Sequence, residues 1–271
     1  MEQIIIGNSV QGASHKRTNT ECQDSFHSRR IGKSLIVAVA DGHGSKSCPF
    51  SKAGSDIAIS VFIKTMNNLY KSYETNLEQM MSYLNRDGAV QVAKKIHSEW
   101  KNRVLTRHSE KQRDIPTVND GKNLEAEILK QYGTTLVGAL ITPLFIFSFQ
   151  IGDGDIVYVH DSKIEMLLEQ EKILGTETHS LSKTNGWENA VSSIYRNDIE
   201  ESLPAMIMLT TDGFANSFKN VDEYHKTCVE YLNMINQYGI KEVQANLKDW
   251  LNETSEQGCG DDITVEIVYF Q

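Results

Sequence analysis

The stretch Ser34-Leu35-Ile36-Val37-Ala38-Val39-Ala40-Asp41-Gly42-His43-Gly44 decides how the chain is read. Six apolar residues run without interruption from Leu35 to Ala40, and Val and Ile make up half of them. A run of that length and kind predicts a strand covered on both faces. The residues that follow are of another sort. Asp41 places a carboxylate at the mouth of the strand, and His43 can give or take a proton near neutral pH. Gly42 and Gly44 carry no side chain, so the backbone there can turn sharply and approach a ligand closely. Alone, DGHG reads as an ordinary Asp-Gly turn.

The chain repeats the device. Leu144 to Gln150 leads into Ile151-Gly152-Asp153-Gly154-Asp155 and then Ile156 to Val159. Met206 to Thr211 leads into Asp212-Gly213-Phe214, and Gly258-Cys259-Gly260-Asp261-Asp262 opens the run Ile263 to Tyr269. Each cluster by itself is weak, because Asp and Gly are the usual residues of turns. Four strand-end aspartates far apart in sequence suggest strands that bring their carboxylates together. Such anions stay ionised side by side only where cations compensate them, and oxygen-only ligation suits Mg²⁺, Mn²⁺ or Ca²⁺.

DGHG at 41–44, GD at 152–153, TTDG at 210–213 and GDDITV at 260–265 together resemble the metal-dependent protein serine/threonine phosphatases of the protein phosphatase 2C family. Identity, order and rough spacing all agree, from about Gly12 to Val268. The resemblance implies an α+β fold, a four-layer α-β-β-α sandwich of two mainly antiparallel sheets flanked by helices. It also implies hydrolysis of phosphoserine and phosphothreonine esters in a phosphorylated protein substrate, opposing a serine/threonine kinase. Two divalent ions, Mn²⁺ or Mg²⁺, would hold the attacking hydroxide between them. By resemblance Asp41 bridges the ions with the Gly42 carbonyl adding a ligand, Asp212 and Asp261 complete one site, and Asp24 acts on the other through water. Asp153, with Asp212, stands where some members hold a third, looser ion, and Asp262 falls behind the ligands. His43 is the candidate general acid that protonates the leaving alkoxide.

Two positions depart from the family pattern. With Asp24 aligned on the Asp of the usual Glu-Asp pair, Gln23 replaces the Glu and Asn19 the Arg that grips phosphate. Gln23 offers a neutral oxygen, and Asn19 cannot pair bidentately with phosphate. Arg17 is the expected substitute, with Gln23 beside it, and Lys16 and His15 are alternatives. These departures keep a second reading open, a catalytically weak or inactive module that binds a phosphoprotein or signalling partner. A calcium-dependent structural protein would explain the carboxylates but not His43, and no EF-hand spacing occurs.

The remainder bounds the reading. At 271 residues, the match predicts one catalytic domain over 1–271. A net charge of -9 gives nucleic acid no general attraction. Cys22, Cys48, Cys228 and Cys259 form no CxxC pair or zinc spacing and suit free thiols in a reducing compartment. With no leader or membrane-spanning run, a cytoplasmic protein without membrane contact is expected. Apolar stripes predict helices from Phe50 to Tyr70, Ala89 to Val104, Val221 to Ile235 and Ile240 to Leu251. Residues 3–10 predict an opening strand, 106–128 a loop, and 170–200 the mobile flap that the family carries beside its active site.

Overall fold

The computed structural model of the chain describes residues 2–111, 124–168 and 179–271. The strands are β1 (Gln3–Val10), β2 (Ser25–Ile31), β3 (Ser34–Ala40), β4 (Leu136–Ile141), β5 (Phe145–Ile151), β6 (Asp155–His160), β7 (Lys163–Met166), β8 (Val191–Arg196), β9 (Ala205–Thr210) and β10 (Ile263–Phe270). The helices are α1 (Ala13–Thr18), α2 (Ser51–Tyr73), α3 (Leu77–Tyr83), α4 (Ala89–Glu110), α5 (Leu124–Lys130), α6 (Asp212–Ala215), α7 (Val221–Tyr238) and α8 (Ile240–Gln257). One antiparallel sheet runs β1-β10-β9-β6-β7 and the other β2-β3-β4-β5-β8.

The period of two along each buried strand builds the layers. In β3, Leu35, Val37 and Val39 join the apolar layer between the sheets, with Ile207 and Leu209 of β9 and Val268 and Phe270 of β10. Ile36, Ala38 and Ala40 point the other way, into a core made with Phe62, Met66, Ile96 and Trp100 of α2 and α4. Met206 and Met208 of β9 and Val265 and Ile267 of β10 meet Cys228, Leu232, Leu247 and Leu251 of α7 and α8. The result is helices, sheet, sheet, helices, the four-layer α-β-β-α sandwich expected. Each large apolar side chain so buried contributes roughly 1.5–3 kcal/mol, before entropy is counted.

Edge strands carry the charges that a central strand could not. β2 (SFHSRRI) and β7 (KIEM) bring Arg29, Arg30, Lys163 and Glu165 to the sheet margins, where charge discourages further pairing. Asn76 and Asn220 cap α3 and α7 by accepting from the backbone N–H of Gln79 and Glu223.

Two expectations need correction. The loop over 106–128 is helical at both ends, because α4 continues to Glu110 and α5 begins at Leu124. Val104 and Leu129 are buried against the α2 side of the sheet, so the apolar face persists where charge obscured it. Within 170–200, the stretch Val191–Arg196 is not flap but edge strand β8, paired with β5. Residues 112–123 and 169–178 of these two stretches lie outside the described residues.

Candidate active site

Antiparallel pairing decides which residues meet. β3, β5 and β9 end, and β2, β4, β6 and β10 begin, at the same edge of the sandwich, because Ala40 pairs with Ser25, Leu136 with Ile151, and Thr210 with both Asp155 and Val265. Asp24, Asp41, Asp153, Asp212, Asp261 and Asp262 therefore all emerge on one edge.

The backbone at Asp41 is clamped from β4. Its N–H donates to Thr135 Oγ1 at 3.0 Å, and its carbonyl accepts from the Thr135 N–H and from Thr134 Oγ1, both at 2.8 Å. Gly42 is buried and bridges to Thr134, and the His43 N–H donates to the Gly133 carbonyl at 3.0 Å. The His43 ring packs over Gly133 and lines a cavity of about 460 Å³ with Ser45, Cys48, Lys130, Ser180 and Lys183.

Asp24 lies deeper, 2% exposed. Its Oδ2 accepts from Thr211 Oγ1 at 2.7 Å and Thr264 Oγ1 at 2.8 Å, while its buried Oδ1 has no hydrogen-bond partner among the described residues. Burial first, then the nearby Asp262 and Asp212 charges, push its carboxyl up to about 7 against the two threonine hydrogen bonds. Asp212 opens α6 and accepts from Asn216 Nδ2 at 2.9 Å, and Asp261 is exposed. Asp153 is half-buried between Gly152 and Gly154, in the crossing from one sheet to the other.

Asp262 is spent on structure. Its Oδ1 accepts from the Gly12 N–H at 2.7 Å and from His15 Nδ1 at 2.8 Å, and its Oδ2 accepts from the Gln23 N–H at 2.6 Å. It ties the segment before β2 to the start of β10. Neither Arg17 nor Lys16 points inward. Arg17 Nη2 donates to Ser14 Oγ at 3.1 Å on exposed α1, and Lys16 Nζ donates to Asn252 Oδ1 at 2.8 Å. The basic side chain of this segment that reaches the DGHG loop is His15.

Two observations fit a divalent cation here. The Asp41 carboxyl is raised well above the usual range, by burial first and then by the charges of Asp24, Asp212, Asp261 and Asp153. Among the described residues the buried Oδ1 of Asp24 is an acceptor that meets no donor. Both are relieved by a hard cation among oxygen donors. Among the described residues, however, no group of three or more His, Cys, Asp or Glu side chains is disposed to hold an ion as it stands. The carboxylates are close enough to feel one another's charge without being gathered into a chelate.

Sequence patterns missed the threonines at 134, 135, 211 and 264, and the Asp262–His15 pair. The Thr-Thr doublets stand in plain view before β4 and Asp212, but a hydroxyl's partner across the sandwich leaves no local signal. Among the described residues no helix is long and apolar enough to cross a membrane.

The family model described as Protein phosphatase 2C matches residues 11–252. A sex determining protein of C. elegans is 15% identical and superposes with a TM-score of 0.63, covering 100% of this chain and 65% of that one. The S. agalactiae serine/threonine phosphatase is 16% identical, with full coverage of both chains and a TM-score of 0.60. The catalytic domain of the serine/threonine phosphatase PstP, solved with two manganese ions, is 13% identical, with 98% of this chain and 97% of that chain covered and a TM-score of 0.57. At such identities these likenesses are of fold. None of the curated proteins matches the sequence.

Proposed function

The chain belongs to the protein phosphatase 2C family, and from that premise we propose that it hydrolyses phosphoserine and phosphothreonine monoesters in a protein substrate, with Mn²⁺ or Mg²⁺ as cofactor. The observation that carries the reading is the strand register that brings Asp24, Asp41, Asp153, Asp212 and Asp261 to one edge of the sandwich, near enough for the other four to raise the Asp41 carboxyl. Asp41, the Gly42 carbonyl, Asp212 and Asp261 are the groups that would hold ions, with Asp24 behind them and Asp153 beside Asp212. Bound divalent ions supply positive charge for these carboxylates and for the phosphoryl oxygens, and they acidify water.

The chain's own groups have separable tasks. Water attacks phosphorus in line with the departing seryl or threonyl oxygen, which leaves with the electrons of the P–O bond and needs a proton. His43 gives that proton from the rim of the cavity beside Gly133. Thr134 and Thr135 fix the Asp41 backbone, and with it the point from which the carboxylate reaches its neighbours. Thr211 and Thr264 leave Asp24 one oxygen to present. The kinase-opposing role and the phosphoprotein partner belong to the same proposal.

A specific observation favours a second reading, a module that binds a phosphoprotein with little or no turnover. Gln23 brings no charge where the family has a Glu, and the described carboxylates are not disposed as a chelate. Hydrolysis of p-nitrophenyl phosphate and of a phosphothreonine peptide, with Mn²⁺, with Mg²⁺ and with EDTA, separates the two. Turnover that needs metal and is lost in Asp212→Asn is expected. Absent turnover with either metal, alongside calorimetric binding of the phosphopeptide, would replace the enzyme by the binding module.

A further inference from the structure

A second cavity lies against the aspartate edge, and nothing in the reaction above uses it. It holds about 480 Å³ and is lined from the ends of β5 and β7, the start of β6, α6 and the start of α7. That is the size of a small-molecule site, and its make-up is that of one: apolar walls with a few placed polar groups. Met166, Leu168 and Val221 supply aliphatic surface, and the rings of Phe218 and Tyr224 also line it, with centroids 6.0 Å apart.

One acid enters this surface. Asp155 opens β6, lines the cavity and is 8% exposed. Burial first, and then the Asp155 charge, hold the Tyr224 hydroxyl well above its ordinary range. Among the described residues no Lys or Arg lines the cavity. A carboxylate together with aromatic rings in an apolar setting is the chemistry that recognises an organic ammonium, by ion pairing and by cation–π attraction.

Two further walls connect the cavity with the site. Asn216, which lines it, donates from Nδ2 to Asp212 Oδ2 at 2.9 Å. Gln150, 3% exposed, donates from Nε2 to the Gly152 and Gly154 carbonyls at 3.0 and 2.6 Å, on either side of Asp153. A molecule that fills the cavity therefore touches the side chains that hold the Asp212 carboxylate and the Asp153 turn.

We infer that this cavity is a regulatory site for a small organic cation, an ammonium on an apolar body, with the ammonium on Asp155 and the body against Phe218 and Tyr224. The sign of the regulation follows from charge. The ammonium and a divalent ion at Asp212 or Asp153 are like charges on neighbouring carboxylates, so each weakens the hold of the other, and the filled cavity inhibits. The coupling rests on the metal-dependent reading; the binding does not.

Calorimetric titration with phenethylamine, with its neutral counterpart phenethyl alcohol and with the anion hydrocinnamate tests the assignment. Saturable binding of the amine without metal is expected, about tenfold or more tighter than that of the alcohol, with none of the anion. Asp155→Asn removes the charge alone, and Val221→Trp fills the cavity from a position that is 63% exposed. Each should weaken the amine about tenfold or more, and thermal unfolding checks that both fold. Saturating amine should raise the Mn²⁺ dissociation constant about fivefold or more, and Mn²⁺ should weaken the amine by the same factor, as linkage requires. No saturable binding of the amine, equal binding of the alcohol or the anion, or wild-type affinity in both folded variants would overturn the site. Mn²⁺ affinity unmoved by bound amine would overturn its regulatory role. A chain that binds the amine through Asp155 but takes up no Mn²⁺ would sink the phosphatase reading and the coupling, and leave the cation site standing.

Discussion

At one edge of the sandwich the strands are joined by tight turns: Gly32-Lys33 between β2 and β3, Thr142 to Leu144 between β4 and β5, and Asp161-Ser162 between β6 and β7. At the other edge these strands, together with β9 and β10, release Asp24, Asp41, Asp153, Asp212 and Asp261. The turn edge satisfies itself locally. Gly32, Asp161 and Ser162 take up left-handed backbone, and Thr142 Oγ1 accepts the N–H of Leu144 and Phe145. The aspartate edge is left with charges that raise one another, and threonines from neighbouring strands hold them there. Hairpins that close one edge force the longer connections to the other, and that is where ligand chemistry has room.

Changing the charged edge should cost function more than stability. Asp41→Asn is expected to lower metal-dependent hydrolysis by more than ~100-fold, since losing even a group that only supports a metal ligand costs 10–100-fold. Without metal at neutral pH it should unfold at a higher temperature than wild type, because a neutral amide escapes the repulsion that raises the Asp41 carboxyl. Equal activity or a lower melting temperature would break the contrast between the edges. His43→Ala should lower turnover on a phosphoserine peptide by about 10²-fold or more. The loss should be smaller on p-nitrophenyl phosphate, whose leaving group needs less proton help, and Mn²⁺ affinity by calorimetry should hold.

Between the edges, Glu266 lies on β10, 1% exposed, and burial pushes its carboxyl up to about 8 from 4.5. The native protein keeps that proton in this window while the unfolded chain has released it, so this group's contribution to stability falls as pH rises from about 4.5 to about 8. Glu266→Gln should therefore be more stable than wild type by roughly 4 kcal/mol at pH 8, with the gap closing towards pH 4.5. Denaturant titrations across that range would read it, and a gap that widens towards acid would contradict the sign. At the turn edge Gly32 has φ +54°, and an added methyl group would press on the Tyr70 hydroxyl at 3.1 Å, a tight contact that the side chain must yield to. Gly32→Ala should cost about 1 kcal/mol of stability through the left-handed backbone and leave kcat/KM unchanged.

The central strands were legible because they are covered on both faces. β3 and β9 are apolar runs and β10 is one broken only by Thr264 and Glu266, and each has an acid beside one of its ends. The edge strands were not. β2 and β8 alternate no apolar face in sequence, since their outward residues are polar and their place depends on β3 and β5. The same limit holds at the site. The aspartates can be found one motif at a time, but Asp262 and His15 are 247 residues apart and meet only when β10 closes beside the start of the chain. Arg17 carries the charge expected of a phosphate ligand, yet α1 turns it outward.

Whether the aspartate edge binds divalent ions is measured by calorimetric titration of Mn²⁺ into wild type, Asp41→Asn and Asp212→Asn. Saturable binding to wild type that weakens in both variants is the predicted result. No binding to wild type, or binding that both variants retain unchanged, would contradict it.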